Sequence, residues 1–260
     1  MPADEEPAVE LVDVHKSFGE HKVLTGVSIR IPKNAITVLI GGSGSGKSVI
    51  MKHVIGLFRP DSGVVKVFGQ DLASLDSDGM LQLRTRFGML FQGAALLDSL
   101  SVRENVSFPL WERGMKHSDV RREADAIMEQ LQIADIGGRY PSAISNGQRK
   151  RVGLARAIVT KPEIMIYDEP TTGQDPVMTR YVDDMIVEAQ ELFDITSLVV
   201  SHDMASAFRI GDRVAMLHRG EIRAYGTPAE VRANPDPWVR RFIYAGTPEG
   251  ERASEELGLV

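Results

Sequence analysis

The stretch Gly41-Gly42-Ser43-Gly44-Ser45-Gly46-Lys47-Ser48 constrains this chain more than any other. It follows the apolar run Ile36 to Ile40 and opens a helix-like stretch from Ser48 to Leu57. A buried strand, a glycine turn and a helix start, in that order, are the context a phosphate-binding loop requires. Glycines let the backbone curl so that successive N–H groups point inward, and the helix N-terminus adds the positive end of its dipole. Lys47 then reaches the β- and γ-phosphates, and the Ser48 hydroxyl can ligate Mg²⁺. The plain alternative is a glycine-rich turn with a chance Lys-Ser, and the rest of the chain has to separate the two.

Bulk numbers narrow the classes. With 260 residues there is room for one large domain or two small ones around a substantial core. A formal net charge of −6 argues against bulk attraction to nucleic acid or to an anionic membrane surface. The chain has no cysteine, so no disulfide framework or thiolate metal site is possible, and a reducing cytosol suits it. The acidic start, Met1 to Glu6, lacks the basic-then-apolar layout of a signal peptide, and residues 1–7 read as a disordered lead-in. No apolar run approaches the roughly 20 residues needed to span a bilayer.

Along the chain, Val9 to Val14 and Val23 to Ile31 read as half-buried antiparallel strands around a turn at Phe18-Gly19-Glu20-His21. An exposed Phe18 could stack on a flat ligand such as adenine, or fold back onto its own sheet. Gly63 to Phe68 reads as a strand, Gly69 to Asp71 as a turn, and Leu75 to Arg84 as a helix leading into the strand Phe87 to Phe91, which ends at Gln92. Residues 93–144 carry no strand signal. Ser101 and Glu104 form a capping box there, and Val120, Ala124, Ile127, Met128 and Leu131 recur at helical spacing. Ser145 or Asn146 caps a helix predicted over Arg149 to Thr160, and Pro162 stops it. Ile164 to Tyr167 is a buried strand ending in Asp168-Glu169, two carboxylates whose burial is costly without work such as cation binding. Asp175-Pro176 opens the next helix, and Ser197 to Val200 is a strand running into Ser201-His202-Asp203. A hairpin around Arg219-Gly220, a capped helix at Thr227-Pro228 and a helix near Trp238 to Tyr244 precede a polar tail, 246–260, read as mobile or as a dimer or partner contact.

The phosphate loop, Gln92, Asp168-Glu169 and His202 thus all sit at ends of buried strands or openings of helices. A nucleotide triphosphatase needs this set, because its catalysis is mostly positioning and electrostatic stabilisation. At these residues the chain resembles the nucleotide-binding subunits of ABC transporters, along essentially its whole length. Ser145-Asn146-Gly147-Gln148 matches the family's signature loop, Gln92 its Q-loop, His202 its switch histidine and Phe18 its adenine-stacking aromatic. The resemblance implies an α/β fold: a RecA-like P-loop NTPase core with an antiparallel β subdomain, and a helical signature subdomain over about 93–160, all in one domain of residues 1–245. It implies ATP and Mg²⁺ as cofactors. Phe18, Gly41, Ser43, Gly44, Ser45, Gly46, Lys47, Ser48 and Val49 would hold the nucleotide, with Ser145 and Gly147 from a second copy of the chain. Ser48, Gln92 and Asp168 would hold the metal, and Glu169, His202, Lys47 and Gln92 would carry hydrolysis. Two copies would close head-to-tail on two ATPs and drive a membrane permease from the cytoplasmic face of a bacterial inner membrane.

Two departures from the family pattern stand out. The signature usually reads Leu-Ser-Gly-Gly-Gln, whereas here Ile144 replaces Leu and Asn146 the first Gly. Asn tolerates left-handed backbone, so binding should survive. After Glu169 the chain reads Thr172-Gly173-Gln174-Asp175-Pro176, a form similar to the ATPases of Mla-type, MCE-associated phospholipid transport systems. That likeness implies an MCE-type periplasmic lipid-binding protein and a small cytoplasmic regulatory subunit as partners. The alternatives are an ATPase of solute import or lipoprotein release, or a soluble ABC ATPase of DNA repair or the ribosome. A single cassette without sustained heptads argues against the soluble class. The basic run Arg149-Lys150-Arg151 reads as a solvated helix face with contacts across the dimer rather than as a nucleic-acid site.

Overall fold

The computed structural model describes residues 7–245. These form two compact units, one running up to Asp76 and resuming at Val200, the other spanning Ser77–Val199.

The first unit opens with β1 (Pro7–Phe18) and β2 (His21–Pro32), an antiparallel hairpin whose last register pair is Phe18 with His21. A bulge bends β1 between Leu11 and Val14. There Asp13 adopts a positive φ of 49°, and a Cβ on Gly63 (φ 89°) would collide with its carbonyl, so only glycine fits opposite the bulge. Next come β3 (Ile36–Ile40), buried at all five positions, α1 (Lys47–Val54), β4 (Ser62–Val67) and β5 (Gln70–Asp71). Strands β2-β1-β4-β5 make one antiparallel sheet. Gln70 and Asp71, read from sequence as a turn, instead pair with Val67 and Lys66.

The second unit holds α2 (Ser77–Arg84), β6 (Phe87–Phe91), α3 (Val102–Glu112), α4 (His117–Gln130), α5 (Asn146–Ile158), β7 (Ile164–Asp168), α6 (Pro176–Phe193) and, up to Val199, β8 (Thr196–Ser201). Strand β7 lies between β8 and β6 and runs parallel to β6, with Phe91 opposite Asp168. This register sets Gln92 and Glu169, the next residue of each strand, side by side at one sheet edge. Residues 93–144 contain no strand, and Val120, Ala124, Ile127, Met128 and Leu131 are buried as their spacing predicts. Helix α5 starts three residues before the predicted Arg149. The reason is local: Ser145 and Gln148 close a capping box that carries the helix through Asn146 and Gly147.

The chain returns to the first unit through α7 (Met204–Ile210), β9 (Arg213–His218), β10 (Glu221–Gly226), α8 (Pro228–Arg232) and α9 (Pro237–Ile243). Strand β9 runs parallel to β3, pairing Val214 with Val38, and β10 completes the hairpin. Of the lead-in read over residues 1–7, Pro7 instead opens β1 by pairing with Pro32, while residues 1–6 and the 246–260 tail lie outside the described residues.

Candidate functional site

The loop between β3 and α1 has the curl that phosphate binding demands. Gly44 and Gly46 take φ of 73° and 110°, conformations that a side chain would strain. At Gly41 a Cβ would strike the Leu217 carbonyl, so the loop's first glycine is dictated by strand β9 behind it. Gly46 caps α1 without any side-chain hydrogen bond, and its carbonyl accepts the N–H groups of Val49 and Ile50 at 3.0 Å. No acidic residue stands in the first turn, so the positive dipole end meets no counter-charge from its own helix. The Lys47 ammonium donates to the carbonyls of Gly41 (2.8 Å) and Gly42 (3.2 Å), which holds it over the loop. Ser43, Gly44 and Ser48 are exposed, and Val49 is half-buried. The Ser45 hydroxyl is buried with no hydrogen-bond partner among the described residues. A cradle of glycine curvature, backbone donors, one ammonium and an exposed hydroxyl at the helix start fits the phosphates of Mg-ATP.

Phe18 ends β1 and packs against Phe58 in the segment between α1 and β4 rather than onto its own sheet. Its ring meets Phe58 edge-on at 5.3 Å and lies under the Lys16 ammonium at 5.6 Å, yet 45% of the residue stays exposed. His202 is exposed directly after β8, and Asp203 beside it caps α7 by accepting from the Ala205 and Ser206 N–H groups. The phosphate loop, Phe18 and His202 all belong to the first unit; Gln92, Ser145, Gly147, Asp168 and Glu169 belong to the second.

In the second unit, Asp168 ends β7 and Glu169 follows with a φ of 49°. A non-glycine residue held there costs about 1–3 kcal/mol, a strain that clusters at functional sites. Thr172 Oγ1 donates to the Glu169 Oε2 at 2.7 Å. Gln92 is exposed at the end of β6. Ser145 Oγ accepts the Gln148 N–H at 3.3 Å while Gln148 Oε1 accepts the Ser145 N–H at 2.9 Å, leaving the serine hydroxyl its own proton to donate. A Cβ on Gly147 would press on the Tyr181 ring at 3.2 Å. Asn146 is the first residue of α5 and not left-handed, so its tolerance of that backbone is not what admits it. Its Nδ2 instead donates to Gln174 Oε1 at 3.3 Å, joining the two segments that depart from the family pattern.

The basic run corrects the sequence reading. Lys150 is 2% exposed, and its ammonium donates to the Pro170 carbonyl at 2.8 Å and to the Gln92 carbonyl. Burial pulls its pKa below the ordinary lysine value. Removing an ammonium from water costs several kcal/mol, which two carbonyls offset only in part. Arg151 lies over the Tyr181 ring at 5.2 Å, donates to the Tyr181 hydroxyl and reaches the Leu131 carbonyl at 3.1 Å. Neither is a solvated charge, because the face of α5 that carries them packs inward. Asn105 was also missed. Fully buried on α3, it donates to the carbonyls of Leu97, Leu100 and Ser101 at 3.0 Å each and accepts the Leu97 N–H at 2.8 Å. It therefore fixes the loop downstream of Gln92. A lone Asn in a helical stretch carries no sequence signal for that role.

Among the described residues no group of three or more His, Asp or Glu could hold a metal by itself. Mg²⁺ that enters with a nucleotide needs only one or two protein ligands beside phosphate oxygens and water, and the exposed Ser48 hydroxyl at the start of α1 is of the kind it takes.

Comparison with known proteins agrees with this chemistry. The family model described as ABC transporter matches residues 24–172. The probable ribonucleotide transport ATP-binding protein mkl of Mycobacterium leprae is 38% identical over 240 residues, covering 91% of this chain and 68% of that protein. The methionine import ATP-binding protein MetN of Brucella abortus is 34% identical over 249 residues, 95% of this chain and 68% of that protein. The chain thus spans about two thirds of the length of these relatives. Among solved structures, cbiO1 from Clostridium perfringens, part of the ABC transporter complex cbiONQ, superposes with a TM-score of 0.83 at 26% identity, covering 96% of this chain and all of that one. The dimeric ATP-binding cassette MJ0796 bound to ADP and Pi gives 0.72 at 28% identity over 85% of this chain and 98% of that one. With the phosphate loop built as described and the family match covering more than half the chain, this protein belongs to the ABC transporter family, as an ATP-hydrolysing subunit that takes Mg-ATP.

Proposed function

We propose that this ATPase works as a head-to-tail pair around two Mg-ATP molecules and drives a multi-span permease that moves phospholipid between a bacterial inner membrane and the outer envelope. It would sit peripherally on the cytoplasmic face; among the described residues no helix is long and apolar enough to cross a membrane. Residues 1–245 would act as one cassette. Lys47 and the amides of the 41–49 loop hold the phosphates, and Phe18 stacks on adenine. Ser48, Asp168 and Gln92 hold Mg²⁺, which supplies charge neutralisation at the phosphates. Glu169 accepts a proton from the attacking water, and His202 contacts the γ-phosphate. Ser145 and Gly147 of the second copy bring a capped helix N-terminus to the same phosphate.

The observation that carries the lipid reading is the segment Thr172-Gly173-Gln174-Asp175-Pro176, whose Gln174 meets Asn146 of the signature loop. It implies an MCE-type periplasmic protein and a small cytoplasmic regulatory subunit in the complex. The named relatives favour a second reading: one is described as a ribonucleotide transporter ATPase and one as a methionine importer, and a solute-import system would use the same ATPase. Gentle detergent extraction of the tagged protein from its native membrane, with mass spectrometry of what accompanies it, separates them. Recovery of a permease, a single-span MCE-type protein and bound phospholipid is the expected result. A permease accompanied by a soluble solute-binding protein would replace the lipid by a solute and leave the ATPase chemistry intact.

A further inference from the structure

Lys150 holds together three pieces that sequence keeps far apart. It sits in the first two turns of α5, five residues after the Ser145 cap. Its ammonium reaches two main-chain carbonyls, those of Gln92 and Pro170. Gln92 follows Phe91 and Pro170 follows Glu169, and Phe91 and Asp168 are register partners in adjacent parallel strands. The lysine thus closes the gap between two strand ends immediately beyond the sheet, where ladder hydrogen bonds stop. Among the described residues no carboxylate comes within ion-pairing distance of it, so both acceptors are carbonyls with fixed places in the backbone. A buried ammonium with only such partners resists displacement, because moving either carbonyl leaves charge unsolvated. Glu169 needs such a hold: its φ of 49° is a conformation that surroundings must impose.

We propose that Lys150 is a positioning residue for ATP hydrolysis, its buried ammonium locking the Gln92 and Pro170 carbonyls to the signature helix so that Gln92 and Glu169 keep their working geometry. The inference rests on the reading of Glu169 as the hydrolytic base. It also supplies a mechanical link: a tilt of α5 caused by contact at Ser145 has to pull on both strand ends, since the lysine cannot release either without cost.

The test measures ATP affinity by equilibrium dialysis and single-turnover hydrolysis for the purified full chain and for Lys150→Met, Glu169→Gln and the double variant. Lys150→Met should bind ATP within about twofold of the parent and hydrolyse it at least about tenfold more slowly. In the Glu169→Gln background the same change should cost less than about twofold, because residues that act as a unit are non-additive. A stability role alone would lower affinity and rate together and leave the two losses multiplicative. Parental turnover by Lys150→Met, or a further tenfold loss in the double variant, overturns the proposal. Should Lys150→Met not fold, Lys150→Ala, which leaves room for water at both carbonyls, is read in the same way. If Glu169→Gln turns over at the parental rate, both the base assignment and this inference fall. If Glu169→Gln is slow and Lys150→Met is not, only this inference does.

Discussion

Single side chains carry the chemistry, and each makes a separable demand. Lys47, held over its loop by the Gly41 and Gly42 carbonyls, is the proposed phosphate-binding cation, so Lys47→Ala should abolish measurable ATP binding. Glu169→Gln keeps the shape and the acceptor for Thr172 but loses the proposed base. It should bind ATP normally, slow hydrolysis by at least about a hundredfold on the scale of general-base catalysis, and accumulate as an ATP-bound dimer in size-exclusion chromatography. Normal turnover by this variant would remove Glu169 from the reaction. Phe18 divides its ring between Phe58 and solvent. Phe18→Ala should weaken nucleotide binding by roughly 1–3 kcal/mol, the worth of aromatic–base stacking. Unchanged affinity with a lowered melting temperature would assign the ring to the Phe58 contact instead.

Elements present these residues through local devices that are readable one turn at a time. Three capping boxes, at Ser101, Ser145 and Thr227, start helices where Ser or Thr precedes Glu or Gln by three residues. At Ser101 the Glu104 carboxylate accepts from both the Ser101 N–H and hydroxyl at 2.7 Å, and these bonds hold the Glu104 pKa below its usual range. Ser101→Ala should lower unfolding stability by roughly 0.5–2 kcal/mol, read as a shift in urea midpoint, with ATP affinity unchanged. A loss of nucleotide affinity there would show that the 93–160 region does more than support α5. The hairpin at Arg219-Gly220 and the Asp175-Pro176 helix start were equally plain from sequence. At α5 the structure selects Ser145 from the two candidate caps, and the helix begins directly after it at Asn146 rather than at Arg149, because Gln148 closes the box from within the first turn.

At the scale of the whole molecule, pH acts through groups that the fold shields or pairs. Burial pulls the His53 pKa below 6.5, and its Nδ1 donates to the Val49 carbonyl at 2.7 Å. Asp61 and Glu123 are held below the usual carboxylate range by hydrogen bonds from Lys16 and Lys161. In every case the unfolded chain binds protons more readily than the folded one, so stability rises with pH. The melting temperature should be highest above about pH 6.5 and fall as the medium is acidified toward pH 5, with a second, steeper loss below about pH 4. His53→Gln should shrink the upper stage and leave the lower one, the remainder of the upper stage belonging to His218, whose pKa burial also lowers; an unchanged profile would remove His53 from the acid loss. Such couplings mark the boundary of what a sequence can specify. The phosphate loop, the strand ends bearing Gln92, Asp168 and His202, and the caps were legible because each depends on residues within one turn or one strand. Main-chain geometry there is set by glycine freedom, strand burial and side-chain capping, which are short-range effects. Lys150, Asn105 and Gln174 were opaque because their partners lie 58, 8 and 28 residues away, across turns or between elements. Three consecutive basic residues look alike on paper. Only tertiary packing turns two of them inward, and at Lys150 the loss of water makes two backbone carbonyls its obligatory partners.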